Sequence, residues 1–141
     1  MKIIKILNDL WKINSDRAED FTRTGEKVEE VELKTVFLKM ADESRKNAAE
    51  LVRSGAEDTS SPESNMRRAW LDFKFAFTGH DAGSVLSTYE NGEEAAQQAY
   101  RDAIASTVLS SEQRQMVRNQ QSGLSASHDK LNDYKDSHDK S

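Results

Sequence analysis

The segment YENGEEAAQQAYRDA, residues 89–103, decides the fold, because its apolar residues recur at the spacing of an α-helix. The residues that share this helical face are Tyr89, Ala96, Tyr100 and Ala103. Glu93 falls on the same face, four residues after Tyr89. Its neighbour Gly92 costs about 1 kcal/mol relative to alanine in a helix interior. The segment therefore predicts an amphipathic helix that carries a carboxylate on its apolar side.

The composition of the whole chain agrees with helices that are apolar on one side only. Of its 141 residues, 35% are hydrophobic and 32% charged, and the mean hydropathy is -0.83. So few apolar residues build a core only when they lie on narrow stripes, as in amphipathic helices. One proline and six glycines leave long uninterrupted stretches, whereas a β-sandwich or barrel needs more turn residues. The composition predicts one all-α domain.

Charge and residue usage exclude several classes of protein. The net charge of -5 and the pI of about 5.3 do not provide the basic surface of a nucleic-acid binder. The chain has no cysteine, which excludes disulfides, zinc–thiolate sites and thiol catalysis. No apolar run approaches the roughly 20 residues of a membrane span, and no small-residue cleavage site follows the N-terminus. We therefore expect a cytoplasmic protein that contacts neither membrane nor nucleic acid.

Apolar residues recur at helical steps in four long segments. These predict long helices at about 2–28, 31–54, 82–106 and 111–136. A shorter helix is predicted at about 62–77, within the link between the second and third long helices. Together they form one expected domain, 1–136, and the polar end at 137–141 is expected to fray.

Residues at three helix boundaries have the chemistry of caps. Gly55 suits the C-terminal end of the second long helix. Ser61 followed by Pro62 is typical of the first turn of the short helix. Ser110 and Gln113 have the spacing of a capping box at the start of the last helix.

The length of the link predicts the topology. A helix of the size expected at 62–77 spans roughly 24 Å at 1.5 Å per residue, which is enough to travel much of the length of a bundle. The prediction is therefore a ferritin-like four-helix bundle, in which a long crossover connection contains a short helix.

Near the middle of each long helix, the face that is predicted to point inward carries polar instead of apolar residues. These polar residues are Asn14, Arg17, Ser44, Asn47, Glu93, Gln120 and Ser127. A buried charge needs a partner and hydrogen bonds, and Glu93 and Arg17 are the only opposite charges centred on these stripes. We expect the two to form a buried ion pair, with neighbouring amides completing a buried polar layer. The alternative places Glu93 at a bundle edge and the charged head of Arg17 in water.

Ferritin-like bundles often hold two irons at this level, using two Glu and two Glu-x-x-His motifs. Glu43 and Glu50 are followed three residues on by basic residues instead of histidine, and a serine stands three residues before His128. A di-iron centre is therefore not expected. The alternative is one iron or another divalent metal bound by Glu93 and His128. No phosphate loop, G-x-S-x-G or H-E-x-x-H motif occurs, so we assign no catalytic or cofactor-binding residue.

The aromatic residues of the link have two interpretations. Trp70, Phe73 and Phe77 share a face that would cover the side of the bundle. Leu71 and Phe75 lie on another face and, together with Trp11 on the first long helix, would form an exposed apolar patch. Such a patch would make the protein a homo-oligomer.

Several segments resemble a known family of small bacterial proteins. They are LNDLWKINSDR, RAWLDFKFAFTG, YENGEEAAQQAYRDAI and ASHDKL, which extend from Leu7 to about Asp133. They resemble the ferritin-like proteins classed as domain of unknown function 2383. The resemblance implies a ferritin-like four-helix bundle and no established activity.

The favoured function is that of a non-catalytic, stress-related helical protein and not that of an enzyme. It would act through self-association or an unidentified protein partner, without a cofactor. The alternative function is a metal-binding ferritin-like protein that uses Glu93 and His128 without a full set of di-iron ligands.

Overall fold

The structure, a computed structural model, describes residues 3–57 and 82–139, with side chains at all of these except 82–92, 135 and 137–139. The described residues form four helices and no strand: α1 (Ile3–Lys27), α2 (Val31–Arg53), α3 (Ala82–Ala105) and α4 (Ser111–Asp139). The all-α prediction is confirmed for these residues. The predicted connector helix at 62–77, with its aromatic residues, lies outside the described residues. Trp11, which was expected in an exposed patch with Leu71 and Phe75, is instead buried in the core at 9% exposure, so that part of the prediction is wrong. None of the four helices has the length and apolar content that crossing a bilayer requires.

The end of α2 has a Schellman motif. The Ala56 N–H donates to the Leu51 carbonyl at 2.9 Å, and the Gly55 N–H donates to the Val52 carbonyl at 3.0 Å. Gly55 has φ 118°, which a residue with a Cβ rarely adopts. Glycine is therefore the residue that this helix end requires.

The start of α4 has a reciprocal capping box. The Gln113 N–H donates to Ser110 Oγ at 3.0 Å, and the Ser110 N–H donates to Gln113 Oε1 at 2.9 Å. The helix then continues to Asp139, three residues past its predicted end and into the predicted frayed tail. No glycine or proline follows Gly123 to stop it.

The four helices form two antiparallel hairpins, α1–α2 and α3–α4, each joined by a short turn. Contacts between hairpins show their relative direction. Asn14 contacts Tyr100, and Arg17, farther along α1, contacts Glu93, which is earlier in α3. α3 therefore runs antiparallel to α1 and parallel to α2. It follows that the end of α2 and the start of α3 lie at opposite ends of the bundle.

Apolar side chains of all four helices form one core. Its largest fully buried members are Leu7, Leu10, Phe21, Leu33, Phe37, Leu51, Tyr100 and Leu131. The rings of Phe21 and Phe37 stack with centroids 5.7 Å apart, which joins α1 to α2. The described part of α3 contributes Tyr100 and the small residues Ala96 and Ala103 to this core.

The close approach of α1 and α2 depends on Gly25. A Cβ added there would lie 2.7 Å from Leu38 Cδ2, which is too short unless the leucine moves. Leu38 is 38% exposed and therefore has some freedom to move. Gly123 in α4 makes a matched comparison, because a Cβ there would meet no atom within 4 Å.

We predict that Gly123→Ala raises the free energy of unfolding by about 1 kcal/mol, because alanine forms helix better than glycine. Gly25→Ala raises the free energy of unfolding by less than this, or lowers it, because the added methyl group displaces Leu38. In a protein that already carries Leu38→Ala, Gly25→Ala should raise the free energy of unfolding as Gly123→Ala does, because the contact with Leu38 is gone. Urea unfolding of the five proteins measures these differences. Equal gains at the two glycines would contradict the close contact.

Candidate functional site

The centre of the site is an ion pair between α1 and α3. Arg17 Nη1 donates to Glu93 Oε2, and each side chain is only 1% exposed. Arg17 Nε also donates to Ser44 Oγ of α2 at 3.3 Å. The guanidinium carbon lies 4.8 Å from the centre of the Phe21 ring, within cation–π distance. Three helices thus hold the guanidinium in one position.

A second group of hydrogen bonds lies one turn of α1 away from this pair and reaches α4. Asn14 Nδ2 donates to Tyr100 Oη at 2.7 Å, and Tyr100 Oη donates to Gln120 Oε1 at 2.7 Å. Asn47 Nδ2 donates to Asn14 Oδ1 at 3.2 Å. Gln120 Nε2 donates to Glu50 Oε1 at 2.8 Å. This second group therefore joins all four helices, and the side-chain amides of Asn14 and Gln120 both donate and accept.

The structure brings most of the predicted polar layer together. Asn14, Arg17, Ser44, Glu93 and Gln120 are buried and belong to the two groups of contacts described above, and Asn47 is half-buried. Ser127 is also buried, but its Oγ donates to Glu43 Oε2 at 2.9 Å. Ser127 thus joins α4 to α2 through a carboxylate outside the predicted layer.

Sequence reasoning missed three participants. Tyr100 was expected only as a core residue, yet its hydroxyl links Asn14 to Gln120. A signal existed, because a buried tyrosine hydroxyl usually needs a hydrogen-bond partner. Glu50 follows Asn47 by three residues and therefore faces the same direction. Asp20 is fully buried three residues after Arg17 and was not recognised as part of the interior.

Burial raises the pKa of the Tyr100 hydroxyl above its ordinary value. The hydrogen bond from Asn14 and the positive charge of Arg17 act in the opposite direction but do not cancel the effect of burial. The hydroxyl therefore stays protonated and can donate to Gln120.

The candidate metal ligands are placed differently. Glu93 Oε2 is bound by Arg17, whereas Glu93 Oε1 accepts no hydrogen bond from the described residues. His128 is half-buried, with its Nε2 3.4 Å from Asn132 Nδ2. Within residues 3–57 and 82–139, no three His, Asp or Glu side chains converge. The described donors therefore do not fit a pair of metal ions.

Comparison with known proteins gives one family match. A family model with the description "Domain of unknown function (DUF2383)" matches residues 2–106. This range includes α1, α2 and α3, and therefore Arg17, Glu93 and Tyr100. It ends before α4, so the resemblance of ASHDKL to the family stays a prediction. No curated protein matches the chain.

We predict strong coupling between Arg17 and Glu93. Arg17→Met or Glu93→Gln alone leaves one charge buried without its partner and costs about 3–5 kcal/mol. The double variant costs less than the sum, by at least about 1 kcal/mol. The matched control is the exposed pair Arg23–Glu19, where the same two substitutions couple by about 0.5 kcal/mol or less. Urea unfolding measures both cycles, and additive costs at the buried pair would disprove the interaction.

The raised pKa of Tyr100 predicts a loss of stability at alkaline pH. The unfolded tyrosine ionises near pH 10, whereas the folded one stays neutral, so the stabilisation is complete below pH 10 and declines above it. Between pH 10 and 11 the unmodified protein loses about 1 kcal/mol more than Tyr100→Phe does. Urea unfolding across this range measures the difference. Parallel pH profiles for the two proteins would contradict it.

Proposed function

We propose a non-catalytic role for this chain, which belongs to the family described as a domain of unknown function (DUF2383). In this proposal the protein is a ferritin-like bundle without a cofactor. It acts through its surface by binding a protein partner or a second copy of itself. The stress-related role remains part of the proposal and rests on the sequence alone.

The observation that carries the proposal is the burial of Glu93 against Arg17. A general acid or base has to come within hydrogen-bond distance of its substrate. Glu93 is 1% exposed and already neutralised by a guanidinium. Tyr100 is fully buried and bonded on both sides. The polar layer therefore fits a structural role, which leaves the surface for function.

The helix directions support the ferritin-like part of the proposal. α2 and α3 run parallel, so the chain has to return along the bundle between them. Ferritin-like bundles have one such long crossover, whereas simple up-and-down bundles have only short turns.

Exposed apolar side chains support association with a protein. Those at one end of the bundle are Ile3, Ile4, Val52 and Val108. The Glu57 N–H donates to Asn8 Oδ1 at 2.6 Å, so the end of α2 lies beside the start of α1. Because α3 is antiparallel to α1, the turn with Val108 reaches the same end. Apolar side chains gathered at a surface are typical of protein-binding sites.

A single metal ion is the second candidate function. The observation that favours it is Glu93 Oε1, a buried oxygen without a hydrogen bond from the described residues. Glu93 and His128 would hold the ion, and the ion would supply Lewis-acid or redox chemistry. Arg17 disfavours it, because the guanidinium already neutralises the carboxylate.

The test measures association and metal content together. Light scattering at tens of micromolar is expected to give a mass above 15.9 kDa, or purification from the native host is expected to give a stoichiometric protein partner. Comparing the growth of the native host with and without stress tests the stress-related role. Val52→Lys should weaken the association at least tenfold. Val31→Lys is the control, because Val31 is 76% exposed at the opposite end. A monomer without a partner contradicts the proposal.

Metal analysis of protein purified without a His-tag separates the two candidates. The proposal expects iron, manganese and zinc at less than about one-tenth equivalent. A stoichiometric metal that is lost in Glu93→Gln would favour the second candidate. Peroxide-dependent oxidation of iron(II) by the protein would contradict a non-catalytic role.

A further inference from the structure

Each hairpin has its own internal contacts. In α1–α2, Phe21 stacks on Phe37 and the helices approach closely at Gly25. In α3–α4, Arg114 Nη2 donates to the Ser106 carbonyl at 2.8 Å, which fixes the turn between the helices. Gln97 Nε2 donates to Ser125 Oγ at 3.3 Å farther along. Each hairpin therefore has contacts of its own within the shared core.

The contact between hairpins is different in chemistry, because it includes buried polar groups that need particular partners. Arg17 meets Glu93, Asn14 meets Tyr100, and Glu50 meets Gln120. The α1–α2 hairpin supplies the guanidinium, and α3–α4 supplies the carboxylate opposite it. A hairpin without an acid at that position would leave a buried arginine without a counter-charge, which is strongly unfavourable.

We infer that the polar layer is a recognition surface, and that the α3–α4 hairpin of a second copy of this chain can occupy it in place of the chain's own hairpin. This inference rests on the self-association in the proposed function, but it uses buried residues instead of the apolar end. The second copy is the partner that the layer fits, because it presents the same carboxylate, tyrosine and glutamine at the same spacing.

The length of chain between the hairpins permits either arrangement. Residues 58–81 join them, and a stretch of that length reaches on the order of 80 Å when extended. The 25 residues of α1 span roughly 38 Å. Because the two hairpins belong to one chain, the chain's own hairpin has a higher effective concentration than the hairpin of a second copy in dilute solution. At micromolar protein the own hairpin therefore prevails, unless its charges are mismatched.

Reversing the charge of one member of the Arg17–Glu93 pair should make the hairpin of a second copy the preferred partner. Arg17→Glu places two carboxylates opposite each other within one chain, and Glu93→Arg places two guanidinium groups there. When the two variants are mixed, exchange of hairpins restores an opposite-charge pair at both interfaces. Refolded together from urea at tens of micromolar, they should form a heterodimer of twice the 15.9 kDa chain mass. We expect at least tenfold more dimer in the mixture than in either variant alone.

Two controls define the result. The mixture of Arg23→Glu and Glu94→Arg reverses exposed charges on the same two helices, and it should contain no more dimer than its components. The chain that carries both Arg17→Glu and Glu93→Arg tests whether the reversed pair is tolerated. If this chain folds as a monomer and the mixture still forms no heterodimer, the inference is wrong.

Crosslinking provides a measurement that does not depend on charge reversal. The chain has no cysteine, so Glu43→Cys in one copy and Ser127→Cys in another introduce single thiols on α2 and α4. After co-refolding at near-millimolar concentration, a short bis-maleimide should join the two copies. The chain with both substitutions should crosslink internally, which verifies the distance. Internal crosslinking without any crosslink between copies overturns the inference.

The outcomes separate this inference from the proposed function. If the unmodified protein associates and Val52→Lys prevents it, while the charge-reversed variants fail to exchange, only the hairpin recognition is wrong. If the variants exchange while the unmodified protein has no partner at any concentration tested, the surface role is wrong and the recognition between hairpins stands.

Discussion

A buried arginine that requires a carboxylate is the constraint on which the rest of this bundle depends. Taking each charge out of water costs several kcal/mol, and their attraction compensates only when the geometry is good. Arg17 therefore has to meet Glu93 at one depth and in one orientation. Ser44 and the ring of Phe21 complete the surroundings of the guanidinium. The pair sets where α1 and α3 lie relative to each other.

The remaining polar groups follow from this arrangement. The layer interrupts the apolar core, so every amide or hydroxyl within it must find a partner in the protein. Asn14, Tyr100 and Gln120 provide such partners for one another across three helices. Sliding α3 by one turn would separate these donors and acceptors together with the charges. A layer of this kind favours one register over its neighbours even where it adds little net stability, as buried polar groups do in some coiled coils.

Much of the fold could be predicted from the sequence, because helical period, caps and stripe polarity are local properties. Ser110 with Gln113 and Gly55 carry their chemistry within a few residues, and the structure places both at helix ends. The level of the ion pair along the bundle axis could also be predicted, since Arg17 and Glu93 lie near the middle of their helices. The hydrogen bonds of Tyr100 and Glu50 and the burial of Asp20 could not be predicted in this way. They depend on the distances between helices and on side-chain rotamers, which no periodicity in one helix encodes.

Charge balance explains how one bundle architecture can serve either a metal site or a closed core. A metal centre of the ferritin-like kind concentrates several carboxylates, and their mutual repulsion makes a cation the stabilising occupant. Here one carboxylate faces one guanidinium, so the pair is neutral before any ion arrives. A divalent cation at Glu93 would share this one carboxylate with the positive charge of Arg17, which repels it. The arginine thus takes the electrostatic place of a metal, and unlike a metal it is covalently part of α1. We propose that the same charge also makes the choice of the opposing hairpin selective.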